Sequence, residues 1–248
     1  MIEVLDVAKK DGRWTECPSC SEIIITKKLQ ENLMVCPHCD FHFRLNARQR
    51  IDIVCDQGTF VQMDMNDPLL DDRSQVVDEA IIGGRAQING QDCMFGVMDF
   101  SFKGGTMGVY LGQYIIELMK RAQDQAVPFI VFCASGGVRI QEGIWGLFQM
   151  LRTAHARNLT RDVPMITVFT DPTTGGVSAS FAALADILLA EPGSRIGFAG
   201  PRVIESTLKC TLPPDFQDAK NLFSNGFLDN IIHRHDLRDT LGFLLRWF

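Results

Sequence analysis

The sequence lacks the features that would take the chain into a membrane or onto nucleic acid. No uncharged apolar stretch reaches the ~18 residues that a membrane-spanning helix needs. The first residues have neither the basic start nor the apolar core of a secretory signal. The formal net charge is -6, whereas a dedicated nucleic-acid binder carries an excess of basic side chains. We therefore expect a cytoplasmic protein without membrane contact, and we do not expect nucleic acid to be its main partner.

Disulfide bonds are not expected either, although the chain has eight cysteines. Four of them lie in two Cys-x-x-Cys pairs, and the others are scattered at Cys55, Cys93, Cys133 and Cys210. This distribution is typical of metal ligands plus buried free thiols in a reducing compartment. A length of 248 residues with 46% hydrophobic side chains permits one large domain, or a small module followed by a core domain.

The two cysteine pairs predict a metal site near the amino terminus. Its four sulfur ligands are Cys17, Cys20, Cys36 and Cys39. Two residues between cysteines let both thiolates of a pair face one ion, and two such pairs complete a tetrahedral shell around a structural zinc ion. Because that shell has no open position, His38 and His42 are not expected to bind the metal, and dithiol exchange is the weaker alternative. The apolar runs at 23–25 and 33–35 predict the short strands of a zinc ribbon over residues 1–45.

A small basic and aromatic cluster follows the ribbon. It consists of Phe41, Phe43, Arg44, Arg48 and Arg50. Such a cluster is compatible with nucleic-acid binding, but a solvated group of charges at the start of a helix is the more common explanation. We expect the second, with a helix over 47–55.

Two apolar, strand-like runs in the second half of the chain each end in a pair of glycines. One run ends at Gly136 and Gly137, and the other ends at Gly175 and Gly176. Glycine lets the backbone turn through dihedral angles closed to other residues, and the start of a following helix leaves N–H groups without acceptors. Such a corner can stabilise a developing oxyanion, although either pair alone is as easily explained by an ordinary turn without a functional role. Since about one strand–helix–strand unit separates them, we expect the pairs in successive layers of a repeating fold.

Strand and helix patterns alternate through the rest of the chain, which indicates an α/β core over residues 46–248. Strands are expected at 80–88 and 93–100, joined by Asn89 and Gly90 in a hairpin turn, and at 131–135, 164–169, 187–190 and 195–200. Helices are expected at 109–125, 138–159 and 178–185, and over most of 201–248. Residues 64–79 are rich in aspartate and predict an exposed connection.

Five motifs together resemble a known family. They are the paired Cys-Pro-x-Cys ribbon, GGTMG at 104–108, ASGGVRIQE at 134–142, TDPTTGGVSASF at 170–181 and IGFAGPRVIE at 196–205. In this order and density they are similar to the carboxyltransferase beta subunit of bacterial multisubunit acetyl-CoA carboxylase, from about Trp14 to Ile232. The resemblance implies a crotonase-like core of ββα spiral turns with an amino-terminal zinc ribbon. It also implies a homologous alpha subunit as partner in an α2β2 assembly.

The resemblance further implies a reaction and a division of roles. Carboxybiotin, borne on a biotin carboxyl carrier protein, would give its carboxyl group to acetyl-CoA, which becomes malonyl-CoA. Gly175 and Gly176 would form the oxyanion hole for the enolate of the acetyl thioester, because fixed N–H dipoles stabilise that charge without reorganising. Gly136 and Gly137 would shape the acyl-CoA side of the cleft. The ureido group of biotin would take the proton, and the oxyanion hole for the biotin carbonyl would lie on the alpha subunit.

The charged side chains near these motifs have two open explanations. Arg139 and Arg202 either contact the phosphates of CoA or form structural ion pairs. Asp171, Glu142 and Glu205 are the nearby carboxylates, and none of them stands out as a general base. Each is equally compatible with a buried pair that holds its corner in shape.

Two positions depart from the pattern of the family. Thr174 stands before Gly175 where methionine is usual, and Lys103 replaces an apolar residue. We expect the Thr174 hydroxyl at the lip of the cleft, in reach of the substrate. The two changes either alter which small molecules fit, as in a paralogue of a specialised pathway, or represent neutral drift.

Two other functions stay open from the sequence. A related subunit of the decarboxylase type would remove carboxyl from a malonyl thioester, but the zinc ribbon favours carboxyl transfer. The other alternative is a nucleic-acid-binding ribbon on a scaffold core. Residues 1–60 contain nearly equal numbers of acidic and basic side chains, which argues against it.

Overall fold

The computed structural model describes residues 13–65, 79–213 and 215–248. It divides the chain into two compact units, Met1–Leu45 and Asn46–Phe248. The strands are β1 Trp14–Glu16, β2 Ile23–Ile25, β3 Val61–Gln62, β4 Ile81–Ile88, β5 Gln91–Met98, β6 Phe129–Ser135, β7 Met165–Thr174, β8 Ile187–Ala190, β9 Ile196–Gly197 and β10 Asn230–Ile231. The helices are α1 Thr26–Glu31, α2 Ala47–Val54, α3 Val109–Asp124, α4 Ile144–Leu159, α5 Gly175–Ser178, α6 Pro201–Leu208, α7 Ala219–Ser224 and α8 Arg234–Leu245.

The smaller unit is a ribbon built around two turns. β1 and β2 pair antiparallel, and Val35 forms an antiparallel bridge with His42. The strand predicted at 33–35 is therefore wrong except for that bridge. Leu33 and Met34 have φ angles of 52° and 59°, which an extended strand does not allow.

The larger unit is a mixed sheet with helices on both faces. Over the described residues its eight strands follow the order β10-β8-β7-β6-β5-β4-β3, with β9 added along the end of β7. β3, β4 and β5 pair antiparallel, whereas β5, β6, β7, β8 and β10 run parallel. Parallel strands end at one edge of the sheet, so that edge collects the residues that follow β5, β6, β7 and β8.

Both faces of β6 are covered, which explains its uninterrupted apolar sequence. Phe129 and Val131 belong to a buried cluster that includes the inner face of α3, whereas Ile130 and Phe132 belong to a second cluster with α2 and α8. The side chains of the strand thus alternate between two helical layers.

In the repeating units of the core, a short second strand or bridge follows the main strand and precedes the helix. Met107 and Val138, after β5 and β6, form a parallel bridge, and Thr173 and Thr174 at the end of β7 pair with β9. The α/β class and the ββα turns predicted from the sequence are confirmed. The hairpin turn is confirmed as well, because Asn89 and Gly90 join β4 to β5 with the positive φ angles that this turn requires.

Two predicted helices have different bounds. The helix predicted at 138–159 starts only at Ile144, because Gly143 has φ 56° and ψ −132°, outside the helical region. The helix predicted at 178–185 is wrong: α5 ends at Ser178, and a separate 3-10 turn covers Phe181–Leu184. Ser180, with φ −132° and ψ −123°, separates the two.

Two predicted strands also have different bounds. The strand predicted at 195–200 is reduced to β9, while the strand predicted at 164–169 continues to the end of β7. Most of the connection predicted at 64–79 lies outside the described residues. Among the residues that are described, no helix combines the length and apolarity that crossing a membrane requires.

Arg50 is not the solvated charge that the sequence predicts. Helix α2 buries Ala47, Arg50, Ile51 and Val54, which recur at helical spacing on one face. Arg50 therefore lies inside and pairs with Glu191.

A capping box fixes the start of α2. Asn46 Oδ1 accepts from the Gln49 N–H at 2.9 Å, and Gln49 Oε1 accepts from the Asn46 N–H at 3.0 Å. We predict that Asn46→Ala lowers the free energy of unfolding of the larger unit by about 1 kcal/mol, because one helix donor loses its acceptor. Urea denaturation measures this change. Asn46→Asp, which keeps an acceptor oxygen, is the matched control, and an equal loss in both variants would contradict the capping role.

Candidate functional site

The two glycine pairs identified in the sequence lie against each other at the carboxyl ends of the parallel strands. A Cβ atom built on Gly175 would stand 2.7 Å from the Gly137 Cα, and one built on Gly137 would stand 3.2 Å from the Gly175 Cα. Both residues also have positive φ angles, 66° and 116°. No side chain fits between the two corners, so here glycine is required by space as well as by conformation.

A third glycine pair, Gly104 and Gly105, joins this stack, although it was not among the site residues expected from the sequence. The Gly136 N–H donates to the Gly104 carbonyl at 2.8 Å. The Ser135 hydroxyl donates to the Gly105 carbonyl at 2.6 Å, and a Cβ on Gly105 would lie 2.0 Å from the Ala134 oxygen. The signal was present in the sequence, because Gly104 and Gly105 also stand between a strand and a helix.

Most N–H groups of these corners already have acceptors. Gly175 donates to the Phe198 carbonyl at 2.8 Å, and Gly137 donates to the Ser135 hydroxyl at 3.0 Å. Among the described residues, no acceptor contacts the N–H groups of Gly176 and Val177, which open the first turn of α5. Both residues are buried, so these two donors are oriented by the fold and available to an anion.

The Gly175 N–H and the Gly176 N–H have different environments. The resemblance implies an N–H donor at both Gly175 and Gly176, but the Gly175 N–H is occupied by Phe198. Gly175 instead supplies the positive φ that turns the chain. Gly136 and Gly137 donate within the stack, and their role in shaping the acyl-CoA side of the cleft stays a prediction.

The hydroxyl of Thr174 is also engaged. Thr174 Oγ1 donates to the Ser135 carbonyl at 3.2 Å, and Thr173 Oγ1 donates to the Cys133 carbonyl at 2.7 Å. Both bonds join the end of β7 to the end of β6. The side chain of Thr174 is half-buried, so it borders the corner while its hydroxyl holds the two strands together.

Arg139 forms ion pairs. Its guanidinium pairs with Glu79, through a 2.8 Å contact to Oε2 and a closer one to Oε1, and with Glu142 at 3.2 Å. Hydrogen bonding to Glu79 raises the pKa of the Arg139 guanidinium. Glu142 also accepts from the Val109 N–H at 2.6 Å, at the start of α3. The structure thus favours the ion-pair explanation for Arg139, and a contact with CoA phosphates stays a prediction.

The other charged candidates do not converge on the corner. Asp171 Oδ1 accepts from Arg195 Nε at 3.0 Å, and Glu205 Oε1 accepts from the Leu212 N–H at 3.2 Å. Arg202 lies in α6, and its side chain falls outside what the structure describes. Cys133, next to the corner, is completely buried, which raises the pKa of its thiol well above the usual range.

The four cysteines of the ribbon form one cluster. Their sulfur atoms all lie within 4.8 Å of one another, with Cys17 to Cys39 at 3.7 Å and Cys20 to Cys36 at 3.8 Å. A tetrahedron of zinc–sulfur bonds, each about 2.3 Å, has edges of about 3.8 Å. The sulfur set therefore fits a zinc ion with four thiolate ligands, and no histidine belongs to the cluster among the described residues.

Two family descriptions match the chain. The Carboxyl transferase domain matches residues 43–212, and the Acetyl-CoA carboxylase zinc finger domain matches residues 14–39. Together they cover the glycine stack and the cysteine cluster.

Three curated proteins are similar over nearly the whole chain. The acetyl-coenzyme A carboxylase carboxyl transferase subunit beta of Carboxydothermus hydrogenoformans is 43% identical over 96% of this chain and 90% of its own length. The protein of the same name from Desulforamulus reducens is 43% identical, over 95% and 87%. The Natranaerobius thermophilus protein named subunits beta/alpha is 44% identical over 95% of this chain, which spans 42% of that longer relative.

Solved structures share the fold. The transcarboxylase 12S structure with hydrolyzed methylmalonyl-coenzyme A has a TM-score of 0.72 at 24% identity, over 89% of this chain and 43% of its own. The malonate decarboxylase hetero-dimer from Pseudomonas has a TM-score of 0.69 at 23% identity, over 82% of this chain and 86% of its own. At these identities the likeness concerns the fold alone.

Zinc removal tests the metal centre. The buried core of the ribbon is small and consists of Cys17, Ile24, Leu29, Cys36 and Phe43. We predict that chelation unfolds residues 13–45 and leaves the larger unit folded, because the free energy of metal binding supplies most of the stability of so small a unit. The measurement is loss of dispersed amide signals by NMR together with one zinc ion released per chain.

The cysteine specificity of that effect has its own control. Cys36→Ser should reproduce unfolding of the ribbon, whereas Cys210→Ser, at an exposed position outside the cluster, should not. A ribbon that stays folded without zinc would show that the cluster is not a structural metal site.

Proposed function

This chain belongs to the family of acetyl-CoA carboxylase carboxyl transferase beta subunits, and from that premise we propose how its glycine stack takes part in the reaction. The activity is biotin-dependent carboxyl transfer that converts acetyl-CoA to malonyl-CoA. We propose that Gly176 donates its backbone N–H to the thioester oxygen of acetyl-CoA, with the Val177 N–H as the second donor of the pair.

This proposal rests on the two buried N–H groups at the start of α5, for which the described part of the chain supplies no acceptor. Loss of a proton from the acetyl methyl group places negative charge on the thioester oxygen. Fixed N–H donors stabilise that charge without reorientation, and removal of water strengthens the interaction. Once the N–carboxyl bond of carboxybiotin breaks, the ureido nitrogen that carried the carboxyl group would accept the methyl proton, and the enolate carbon would take the carboxyl group. No side chain of this subunit would then be required as a general base.

The remaining site residues act on the shape of the cleft. Gly136 and Gly137 shape the acyl-CoA side of the cleft by letting the two corners touch, since a side chain at Gly137 would meet Gly175. Arg139 holds the first corner through Glu79 and Glu142, and Thr174 joins the strand ends beside the donors. Arg202 stays a proposed contact of the CoA phosphates.

An apolar surface on α4 and the turn before it indicates a protein partner. We call it the α4 surface; it consists of the exposed side chains of Ile140, Ile144, Trp145, Leu147, Phe148 and Leu151. The same helix contacts the glycine corner through Met150, whose sulfur would lie 2.9 Å from a Cβ on Gly176. Large exposed apolar patches are typical of protein interfaces.

We propose that a homologous alpha subunit covers this surface in an α2β2 assembly in the cytoplasm. The relative named subunits beta/alpha supports this partner, because it carries both subunits in one chain. The alpha subunit would supply the oxyanion hole for biotin, and the biotin carboxyl carrier protein would deliver carboxybiotin between the two.

The first test concerns the proposed donor. A Cβ on Gly176 would lie 2.2 Å from Val138 Cγ2 and would displace the first turn of α5. We predict that Gly176→Ala lowers kcat by about 100- to 1000-fold, the effect of losing one oxyanion donor. The assay is malonyl-CoA-dependent carboxylation of a biotin analogue by the complex with the alpha subunit. In Gly176→Ala/Val138→Ala the closest contact is removed, and only the flexible Met150 side chain at 2.9 Å has to shift, so part of the activity should return. Full kcat in Gly176→Ala would contradict the assignment.

The second test concerns the α4 surface. Trp145 is 66% exposed, so Trp145→Asp should leave the chain folded. Because a buried interface tryptophan often contributes more than ~2 kcal/mol, we predict at least a tenfold weaker affinity for the alpha subunit. Val61→Asp is the matched control, since Val61 is equally exposed on β3. Equal affinities for Trp145→Asp and the unmodified chain, measured by analytical ultracentrifugation, would exclude this surface as the interface.

A further inference from the structure

A buried cluster of charges lies where β8 ends. Glu191 follows the last residue of β8 and is 3% exposed. Its carboxylate accepts from Arg50 at 2.5 and 3.2 Å and from Arg234 at 2.8 and 2.7 Å. Arg50 comes from α2 and Arg234 from the first turn of α8, so one carboxylate joins two helices to the end of a strand.

From this carboxylate the chain continues along β7 to the glycine stack, over what we call the 191–198 segment. Besides the β7–β9 pairing, backbone hydrogen bonds join this segment to the β7 region. The N–H of Glu191 donates to the Phe169 carbonyl (3.0 Å), that of Thr173 to the Arg195 carbonyl (2.9 Å) and that of Gly175 to the Phe198 carbonyl (2.8 Å). β9 lies within this segment and pairs with the end of β7. The last of the three bonds is the one that occupies the Gly175 N–H.

We infer that Glu191, held by Arg50 and Arg234, is a positioning residue for carboxyl transfer. It holds the 191–198 segment where Phe198 occupies the Gly175 N–H and the Gly176 N–H is left for the substrate. This inference rests on the proposed function, because it takes Gly176 as the oxyanion donor. A displacement of about 1 Å at a catalytic group is enough to lower the rate about 100-fold.

The buried cluster of Glu191, Arg50 and Arg234 depends on the negative charge of Glu191. Burial and Arg234 lower the pKa of the Arg50 guanidinium, whereas Glu191 raises it. Without the carboxylate charge, two guanidinium groups face each other in a buried place, which is strongly unfavourable. Repulsion between the two guanidinium groups would displace residue 191. That displacement would extend into the 191–198 segment, because the Ser194 hydroxyl donates to the Glu191 carbonyl at 2.7 Å.

A second ion pair with a buried arginine, at the other end of the same strands, provides a control. There Arg157 pairs with Asp186 at 2.6 Å, and Asp186 also accepts from the Met165 N–H at 2.8 Å, where β7 begins. Arg157 and Arg50 are buried to a similar degree, 5% and 3% exposed. The arginines are therefore the matched pair, since the side chain of Asp186 is 49% exposed and pairs with one arginine, whereas that of Glu191 is 3% exposed and pairs with two.

The experiment compares Glu191→Gln with Asp186→Asn, and Arg50→Lys with Arg157→Lys. In the complex with the alpha subunit, we expect Glu191→Gln to lower kcat about 10- to 100-fold while KM for acetyl-CoA stays within about threefold. Hydrogen exchange of the Gly175 amide, followed by NMR on the full chain, should become about tenfold faster. Arg50→Lys should shift both quantities in the same direction, and it keeps the test open where Glu191→Gln does not fold.

The control variants decide between positioning and general stability. Asp186→Asn and Arg157→Lys should lower the unfolding midpoint while leaving kcat and Gly175 exchange within about twofold of the unmodified chain. Equal kcat losses in both pairs, or unchanged Gly175 exchange in Glu191→Gln and Arg50→Lys, would overturn the inference. An unmodified complex without activity would instead count against the proposed function, and the exchange measurement would still test the positioning role.

Discussion

The contact between two backbone corners, with no side chain between them, is the constraint on which the site depends. Gly137 and Gly175 approach so closely that a Cβ on either one would meet the Cα of the other. The ends of β6 and β7 can therefore lie side by side only because both corners are glycine. Their approach leaves the first turn of α5 buried with two N–H groups that have no acceptor among the described residues.

The catalytic contribution of this subunit then comes from its backbone rather than from a titrating side chain. The nearby charges are occupied in holding the corners: Glu79 and Glu142 fix Arg139 beside the first corner. Glu191 joins Arg50 and Arg234 at the end of β8, one strand beyond the second. Electrostatic stabilisation by fixed dipoles needs this rigidity, because donors that reorient during the reaction lose much of their effect. The exposed apolar face of α4, next to the corner, is consistent with a site completed by a second subunit.

Features set by local chemistry could be predicted from the sequence. The Asn89-Gly90 turn, the cysteine pairs and the glycine corners all follow from residue types whose backbone angles or ligand geometry are restricted. Helix bounds were less predictable, because one backbone angle at Gly143 delays α4 until Ile144. The occupation of the Gly175 N–H was beyond sequence reasoning, since its acceptor on Phe198 belongs to a later segment that only the folded sheet brings alongside. Arg50 was misjudged for a related reason: its partner Glu191 is distant in the chain.

A structure of the complex with the alpha subunit and bound acetyl-CoA would test the assignment of the donor most directly. The thioester oxygen should lie about 2.9 Å from the Gly176 nitrogen, with the Gly175 N–H still bonded to the Phe198 carbonyl. An oxygen out of hydrogen-bond range of both Gly176 and Val177, or bonded instead to a side chain of this subunit, would contradict it.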